Sequence, residues 1–357
     1  MQKCAACMKT NVRHINIPVF IPHLGCPNMC VFCNQRTISG TQEFHRESVR
    51  TIIDNALSTI PDGTDTEIAF FGGSFTGIDR DLMIYLLDTA EEYVRAGRVG
   101  GIRLSTRPDY ISDEILDILG RYAVHDIELG IQSMDDRVLA TCRRGHTAAQ
   151  SEYACRAVKS RGFRLVGQMM TGLPGADAQS ELQTARAICQ LGADGARIYP
   201  TVVFRGTELC DMAQSGDYLI SSQDDIVSRT KDVLAVFVSE GVQVLRVGLC
   251  ASESLTDDTQ VYGGANHSAI GEIVMGELYM DIIARVLGDA GVTGGYLTLA
   301  VPVGEVSKAV GQNKKNTARI KQLFSVCDVK FIEDATLSAY QVKIKSHNPQ
   351  RRTDNCT

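Results

Sequence analysis

The chain has 357 residues, 44% apolar and 22% charged, with a net charge of −6, which is the balance of an ordinary globular protein and excludes fibrous and disordered classes. No apolar run approaches the roughly 20 residues needed to cross a bilayer, and the polar start MQKCAACMKTNVRHIN lacks the apolar stretch of a secretion signal. Twelve cysteines without an export signal place the chain in a reducing, cytoplasmic setting with no membrane partner.

Residues 1–14 read as a tail, whose Cys4 and Cys7 are either frayed chain or a small metal or redox motif. From 15 to 250, short β-branched runs alternate with helical patterns, the mark of repeated βα units. Strands are expected at 17–21, 67–71, 101–105, 125–130, 163–170 and 195–199, with 242–246 closing the series. Helices are expected at 48–60, 82–96, 111–122, 147–161, 177–191 and 224–240. This pattern predicts an α/β fold, a partial (βα)6 TIM-like barrel with its chemistry at the C-terminal ends of the strands. From 251 to 357 the pattern changes. Tyr262–His267 is turn-like and 268–287 reads as one helix. Strand-like pieces at 295–301, 329–332 and 339–344 then surround a helix near 305–325, giving a small α+β C-terminal appendage. Residues 305–352 hold ten Lys or Arg against four Asp or Glu, so the appendage is either a phosphate-contacting module or a solvated basic surface.

The most specific signal follows the first strand. Cys26, Cys30 and Cys33 form a C-x3-C-x2-C triplet. Three thiolates in a short loop can hold three irons of a 4Fe–4S cluster and leave the fourth iron open for chemistry. Electron-carrying clusters are normally held by four cysteines, and structural zinc sites are four-coordinate and closed. Zinc stays open as an alternative, with His14 or His23 as fourth ligand. Cys142, Cys155, Cys189, Cys210, Cys250 and Cys327 read as small apolar core residues.

Each later strand ends in an unusual polar motif. Gly72, Gly73 and Ser74 follow the second strand, where glycines let backbone approach a ligand. The third strand ends in Ser105–Thr106–Arg107–Pro108–Asp109, with a hydroxyl at Thr106 and a planar guanidinium fork at Arg107; Asp109 or Ser112 equally suits a helix cap. Glu128 and Gln132 end the fourth strand, and a carboxylate there needs hydroxyls or a cation. Arg144 lies in the following RRGHT run. MMTGLPG, IYPT and RGTEL come after the fifth and sixth strands, with Tyr199 as a candidate catalytic hydrogen-atom or proton relay. His267 reads as a turn histidine or a substrate-site acid or base.

The cysteine loop resembles that of the radical S-adenosylmethionine superfamily. The ordered set STRPDY, ELGIQS, RRGHT, MMTGLPG, IYPT and RGTEL is similar to the radical domain of the Elongator catalytic subunit and its bacterial relatives. The resemblance implies that Cys26, Cys30 and Cys33 bind a 4Fe–4S cluster. It also implies a pocket for S-adenosyl-L-methionine made by Gly72, Gly73, Ser74, Thr106, Glu128 and Gln132, with Arg144 in support. In that family the cofactor is cleaved reductively to a 5′-deoxyadenosyl radical, with electrons from a flavodoxin- or ferredoxin-type protein, and the radical modifies the wobble uridine of transfer RNA. Two departures stand out: Ser74 replaces the family's commoner Glu, and the cysteine spacing is tighter than in the best-known Elongator subunits. No segment resembles their acetyltransferase domain. Two further readings remain at this stage. Arg246–Leu249 is similar to a turn of the coproporphyrinogen oxidase branch, which acts on a porphyrin. A non-catalytic iron–sulfur protein that binds RNA would also keep the motifs.

Overall fold

The computed structural model describes residues 14–21, 24–26, 30–33, 44–249, 257 and 259–349. The expectations for Cys4, Cys7, His23 and Cys250 fall outside these residues.

The first eight strands are β1 (His14–Phe20), β2 (Asp65–Phe71), β3 (Gly101–Thr106), β4 (Val124–Gln132), β5 (Arg164–Thr171), β6 (Gly195–Pro200), β7 (Val202–Phe204) and β8 (Gln243–Val247). All but β7 lie in one sheet and follow one another in chain order. The registers Ile17↔Ile68 and Ile68↔Ile102 are parallel. β2 is buried at five consecutive positions, as expected of a parallel strand covered on both faces. The expected partial TIM-like barrel is the fold observed. Its first helices are α1 (Val49–Thr59), α2 (Arg80–Arg95), α3 (Asp113–Leu119), α4 (Asp136–Thr141) and α5 (Ala148–Ser160). They start where capping side chains sit. Asp79 accepts from Leu82 N at 3.1 Å, Ser112 from Ile115 N at 3.3 Å, and Thr147 forms a capping box with Gln150. The cap of α3 is therefore Ser112, and Asp109 is left for other work.

The chain divides into two compact units. The first runs up to Gln168 and includes Gln190–Gly195. Its interior is not purely apolar. Arg103, in mid-β3, is buried and donates to Glu67 on β2 (2.9 Å) and to Asp126 (2.9 Å) and Glu128 (3.2 Å) on β4. One guanidinium is thus shared by three buried carboxylates, with His14 (3.4 Å) and His125 (3.6 Å) also facing Glu67 and Arg164 (3.5 Å) facing Asp126.

The second unit holds Met169–Cys189 and the chain from Ala196 onward. It contains α6 (Ala178–Gln190) up to Cys189, α7 (Glu208–Ser215), α8 (Gln223–Ser239), β9 (Val261–Gly264) and α9 (Ile270–Asp289). The MMTGLPG turn is pinned from beneath. Buried Glu181 accepts from Gly172 N at 2.6 Å and from Arg229 at 2.6 and 3.0 Å, while Tyr218 donates to Gly172 O at 2.6 Å. β7 and β9 pair antiparallel, an element too short for sequence periodicity to find.

The appendage consists of β10 (Tyr296–Val301), α10 (Val306–Val310), α11 (Lys315–Phe324), β11 (Asp328–Glu333) and β12 (Lys343–Asn348). β10 is central, parallel to β11 and antiparallel to β12. The single helix expected near 305–325 is two. Gly311, Asn313 and Lys314 take positive φ, and the buried Asn316 amide fills the break by donating to Ala309 O (3.1 Å) and Gly276 O (2.7 Å). The last strand lies later than 339–344, because Tyr340 turns with φ +60° and stacks on Tyr279 at 5.2 Å. Cys142, Cys155 and Cys210 are buried as expected, whereas Cys327 is disulfide-bonded. No described helix is long and apolar enough to cross a membrane.

Candidate cofactor site

The cysteine loop leaves β1 and is held against the turn that ends β2. Ile21 N donates to Phe71 O (2.7 Å) and Ser74 N donates to Leu24 O (3.1 Å). The contact is so close that side chains are excluded. A Cβ on Gly73 would stand 2.4 Å from Leu24 O, and one on Gly25 would stand 2.3 Å from Ser74 O. Gly25 also has φ +73°, which a larger residue would adopt only under strain. Between these glycines, Ser74 Oγ lies 3.4 Å from Cys26 Sγ. Ser74 is thus turned towards the loop. Cys30 is buried, and Cys33 N closes a tight turn onto Cys30 O at 2.9 Å.

The RRGHT run reaches the same loop. Arg144 donates to Cys30 Sγ (3.4 Å) and to Gly130 O (2.7 Å), and its Nε is buried without a partner. Arg107 is 2% exposed and donates to Arg144 O (2.6 Å), while Asp109 takes its fork at 2.8 and 2.9 Å. The fork offered by the sequence is therefore spent internally, with only Arg107 Nη1 left unpaired. Burial works against the Arg107 charge, but the Asp109 carboxylate, and then the charges of Cys30 and Cys26, raise its pKa above the ordinary value. His146 is buried, with Nε2 3.3 Å from Ile131 O and Nδ1 unpartnered. Burial, and then the Arg144 charge, push it down to about 4, so it is neutral at physiological pH. Cys142, beside the loop, is pushed up to about 12 by burial and then by Cys30, and stays a thiol.

Gln132 ends β4 in a three-residue turn closed by Ser133 N on Ile131 O at 2.8 Å. Its φ is +65°, and its Oε1 is buried and unsatisfied. A non-glycine residue strained in this way, with an unspent acceptor, marks a place shaped for something other than stability. Thr106 shares a 2.7 Å contact with Thr76, whose hydroxyl also donates to Tyr110 O at 2.9 Å. Thr106 must then donate to Thr76, and only its lone pairs are available elsewhere. Glu128 is fully buried and accepts from Arg103 (3.2 Å) and from Gln168 (2.9 Å). Tyr199 lies on β6 in the second unit.

Three soft thiolate donors, two buried guanidinium groups and four orphaned atoms (Arg107 Nη1, Gln132 Oε1, Arg144 Nε and His146 Nδ1) suit an anionic iron–sulfur cluster with a polar ligand beside it. Among the described residues, no three His, Cys, Asp or Glu side chains converge as a metal site. The fit therefore rests on donor type and surroundings. Sequence reading missed Gly25, Asp109 and Arg103 as parts of this apparatus. A glycine directly before Cys26 and an arginine inside an apolar strand were the available signals.

The family model for the "Radical SAM superfamily" matches residues 20–188, and that for the "Radical_SAM C-terminal domain" matches residues 193–280. An uncharacterized protein of Methanocaldococcus jannaschii is 30% identical over 232 residues, covering 61% of this chain and 70% of that one. A tRNA uridine(34) acetyltransferase of the same organism is 28% identical over 141 residues, covering 38% of this chain but only 26% of its own length. Among solved structures, the archaeal Methanocaldococcus infernus Elp3 has a TM-score of 0.58 at 19% identity, covering 79% of this chain and 64% of that one, a likeness of fold.

Proposed function

Because the chain belongs to the radical SAM superfamily, whose enzymes use a 4Fe–4S cluster and S-adenosyl-L-methionine, we propose that Cys26, Cys30 and Cys33 hold that cluster here. When bound, the cluster supplies the electron that cleaves S-adenosyl-L-methionine to a 5′-deoxyadenosyl radical. The observation that carries the assignment is the Arg144 guanidinium set on the Cys30 sulfur within a loop clamped to the Gly72–Gly73–Ser74 turn. Arg144 balances thiolate charge in a buried place, and Arg107, paired with Asp109, holds Arg144 by its carbonyl. Gly72 and Gly73 present backbone, Thr106 presents acceptor lone pairs, and Gln132 presents an unspent amide oxygen. Glu128 is a positioning residue, tied to Arg103 and Gln168.

For the substrate we propose RNA of the transfer-RNA wobble-uridine class. The reading is supported by the Elongator-like motif order, by the relative named for transfer RNA uridine 34, and by the basic residues of 305–352. A small flavodoxin- or ferredoxin-type protein is the proposed electron donor, and the cytoplasm the proposed compartment.

The test is anaerobic reconstitution with iron and sulfide, followed by reduction in the presence of S-adenosyl-L-methionine. Wild type should release 5′-deoxyadenosine and Cys30→Ala should release none. A Cys30→Ala protein that still makes 5′-deoxyadenosine would disprove the ligand assignment. Mass analysis of RNA digests from a deletion strain should then show the loss of one modified nucleoside.

A further inference from the structure

We infer that the outer face of the three-stranded appendage sheet is a docking surface for an unpaired RNA segment, an inference that rests on the RNA reading above and names where the RNA is held. The sheet has two unlike faces. Its inner face is apolar: Leu297, Leu299, Val301 and Val329, with Phe331 and Ile344, pack on Tyr279, Met280, Ile283 and Leu287 of α9 and on Ile320 of α11. Side chains alternate across a strand, so the intervening residues face the other way.

Cross-strand register arranges those residues in rows. Tyr296 aligns with Asp328 and Asn348, Thr298 with Lys330 and Ser346, and Ala300 with Ile332 and Lys343. Ala300, central on this side, is buried, and the exposed positions lie around it. Tyr296 is 54% exposed, and Lys330 and Lys343 are exposed. The other basic residues of the appendage are largely spent: Lys308 pairs with Glu305, Lys315 and Arg319 with Glu277, Lys321 with Asp328, and Lys345 with Asp334. Lys330 and Lys343 have no carboxylate partner among the described residues.

One exposed aromatic ring, two uncommitted ammonium groups and the hydroxyls of Thr298 and Ser346 on a single flat face make a small stacking platform with a positive border. Unpaired bases stack on such rings, and lysines beside them meet the phosphates. A duplex offers no unstacked base, which commits the surface to a single-stranded or looped segment. The two uncommitted ammonium groups select a polyanion, and the exposed ring beside them suits the unstacked bases of a nucleic-acid strand.

The experiment uses the full-length protein with a fluorescent single-stranded RNA of about ten nucleotides, a duplex of the same length, and bulk transfer RNA, over a range of salt. Wild type should bind the single strand more tightly than the duplex. Tyr296→Ala should weaken single-strand binding roughly tenfold, and Tyr296→Phe, which keeps the ring, should restore it. Lys330→Glu with Lys343→Glu should weaken binding of both transfer RNA and single strand and flatten the single-strand log–log salt slope by about 1.4 units. Unchanged far-ultraviolet dichroism and melting temperature show that each variant is folded, as expected for exposed positions. If wild type binds transfer RNA and all three variants bind it equally well, the surface is wrong while the RNA substrate stands. If wild type binds no RNA at low salt, both fail. Dimerisation of wild type that is lost in Tyr296→Ala would show that the face belongs to a second copy, and would also overturn the inference.

Discussion

The guanidinium of Arg144 donates to the sulfur of Cys30 at 3.4 Å across 114 residues of chain, and its other arm donates to Gly130 O at 2.7 Å. Arg144 therefore ties the cysteine loop to the end of β4. Arg144→Gln should leave a buried carbonyl unsatisfied and cost the cluster-free protein about 1–3 kcal/mol. It should also lower the iron retained per chain after reconstitution, because a thiolate loses its nearest cation. Urea unfolding and iron analysis read the two effects separately, and iron content at the wild-type level would contradict the electrostatic role.

Two glycine substitutions should act in opposite directions. Gly73→Ala places a methyl 2.4 Å from Leu24 O and 2.6 Å from Ile21 O, so the cysteine loop must move away. Iron incorporation should fall severely. Gly288→Ala, in the last turn of α9 with nothing within 4 Å, should stabilise the protein by roughly 0.5–1 kcal/mol through helix propensity. Melting curves together with iron content separate the two cases.

Arg103→Met should be among the most damaging single changes in the first unit. It removes the guanidinium shared by buried Glu67, Asp126 and Glu128, at a cost of about 3–5 kcal/mol. Arg50→Met breaks the exposed pair with Glu92 and should cost about 0–1 kcal/mol. Denaturant midpoints of the two variants should differ accordingly, and equal midpoints would refute the buried network.

Acid should destabilise the protein through His146. Its folded pKa, about 4, lies below the ordinary histidine value near 6.5. Between these values the unfolded chain binds the proton and the folded chain does not, so stability falls as pH drops from about 6.5 to about 4. The full effect is on the order of 3 kcal/mol. His146→Asn should show a shallower loss than wild type when unfolding is followed from pH 7.5 to pH 4.5. An identical slope would show that His146 already titrates normally in the folded state.

The barrel and the cysteine loop were legible because their signals are local. Runs such as IAFF and IPVFI are apolar over most of a strand, and three cysteines within one loop stand out by spacing alone. Arg107 shows where such reading ends. Its position at the end of β3 was visible, but the fork is closed by Asp109 and Arg144 O, and only one nitrogen remains unpaired. Glu128 was expected at a strand end but lies in the middle of β4, and its partner Arg103 lies 25 residues upstream on the neighbouring strand.

Sequence alone determined the repeated βα pattern, the cysteine spacing and the basic character of residues 305–352, since each depends on neighbours in the chain. Tertiary structure decided which charges meet. Arg103 against three carboxylates, Arg144 against Cys30, and Lys330 and Lys343 left without a carboxylate among the described residues all follow from register and burial. A buried charge must find its partner wherever the fold brings one, and that distance along the chain leaves no mark in local composition.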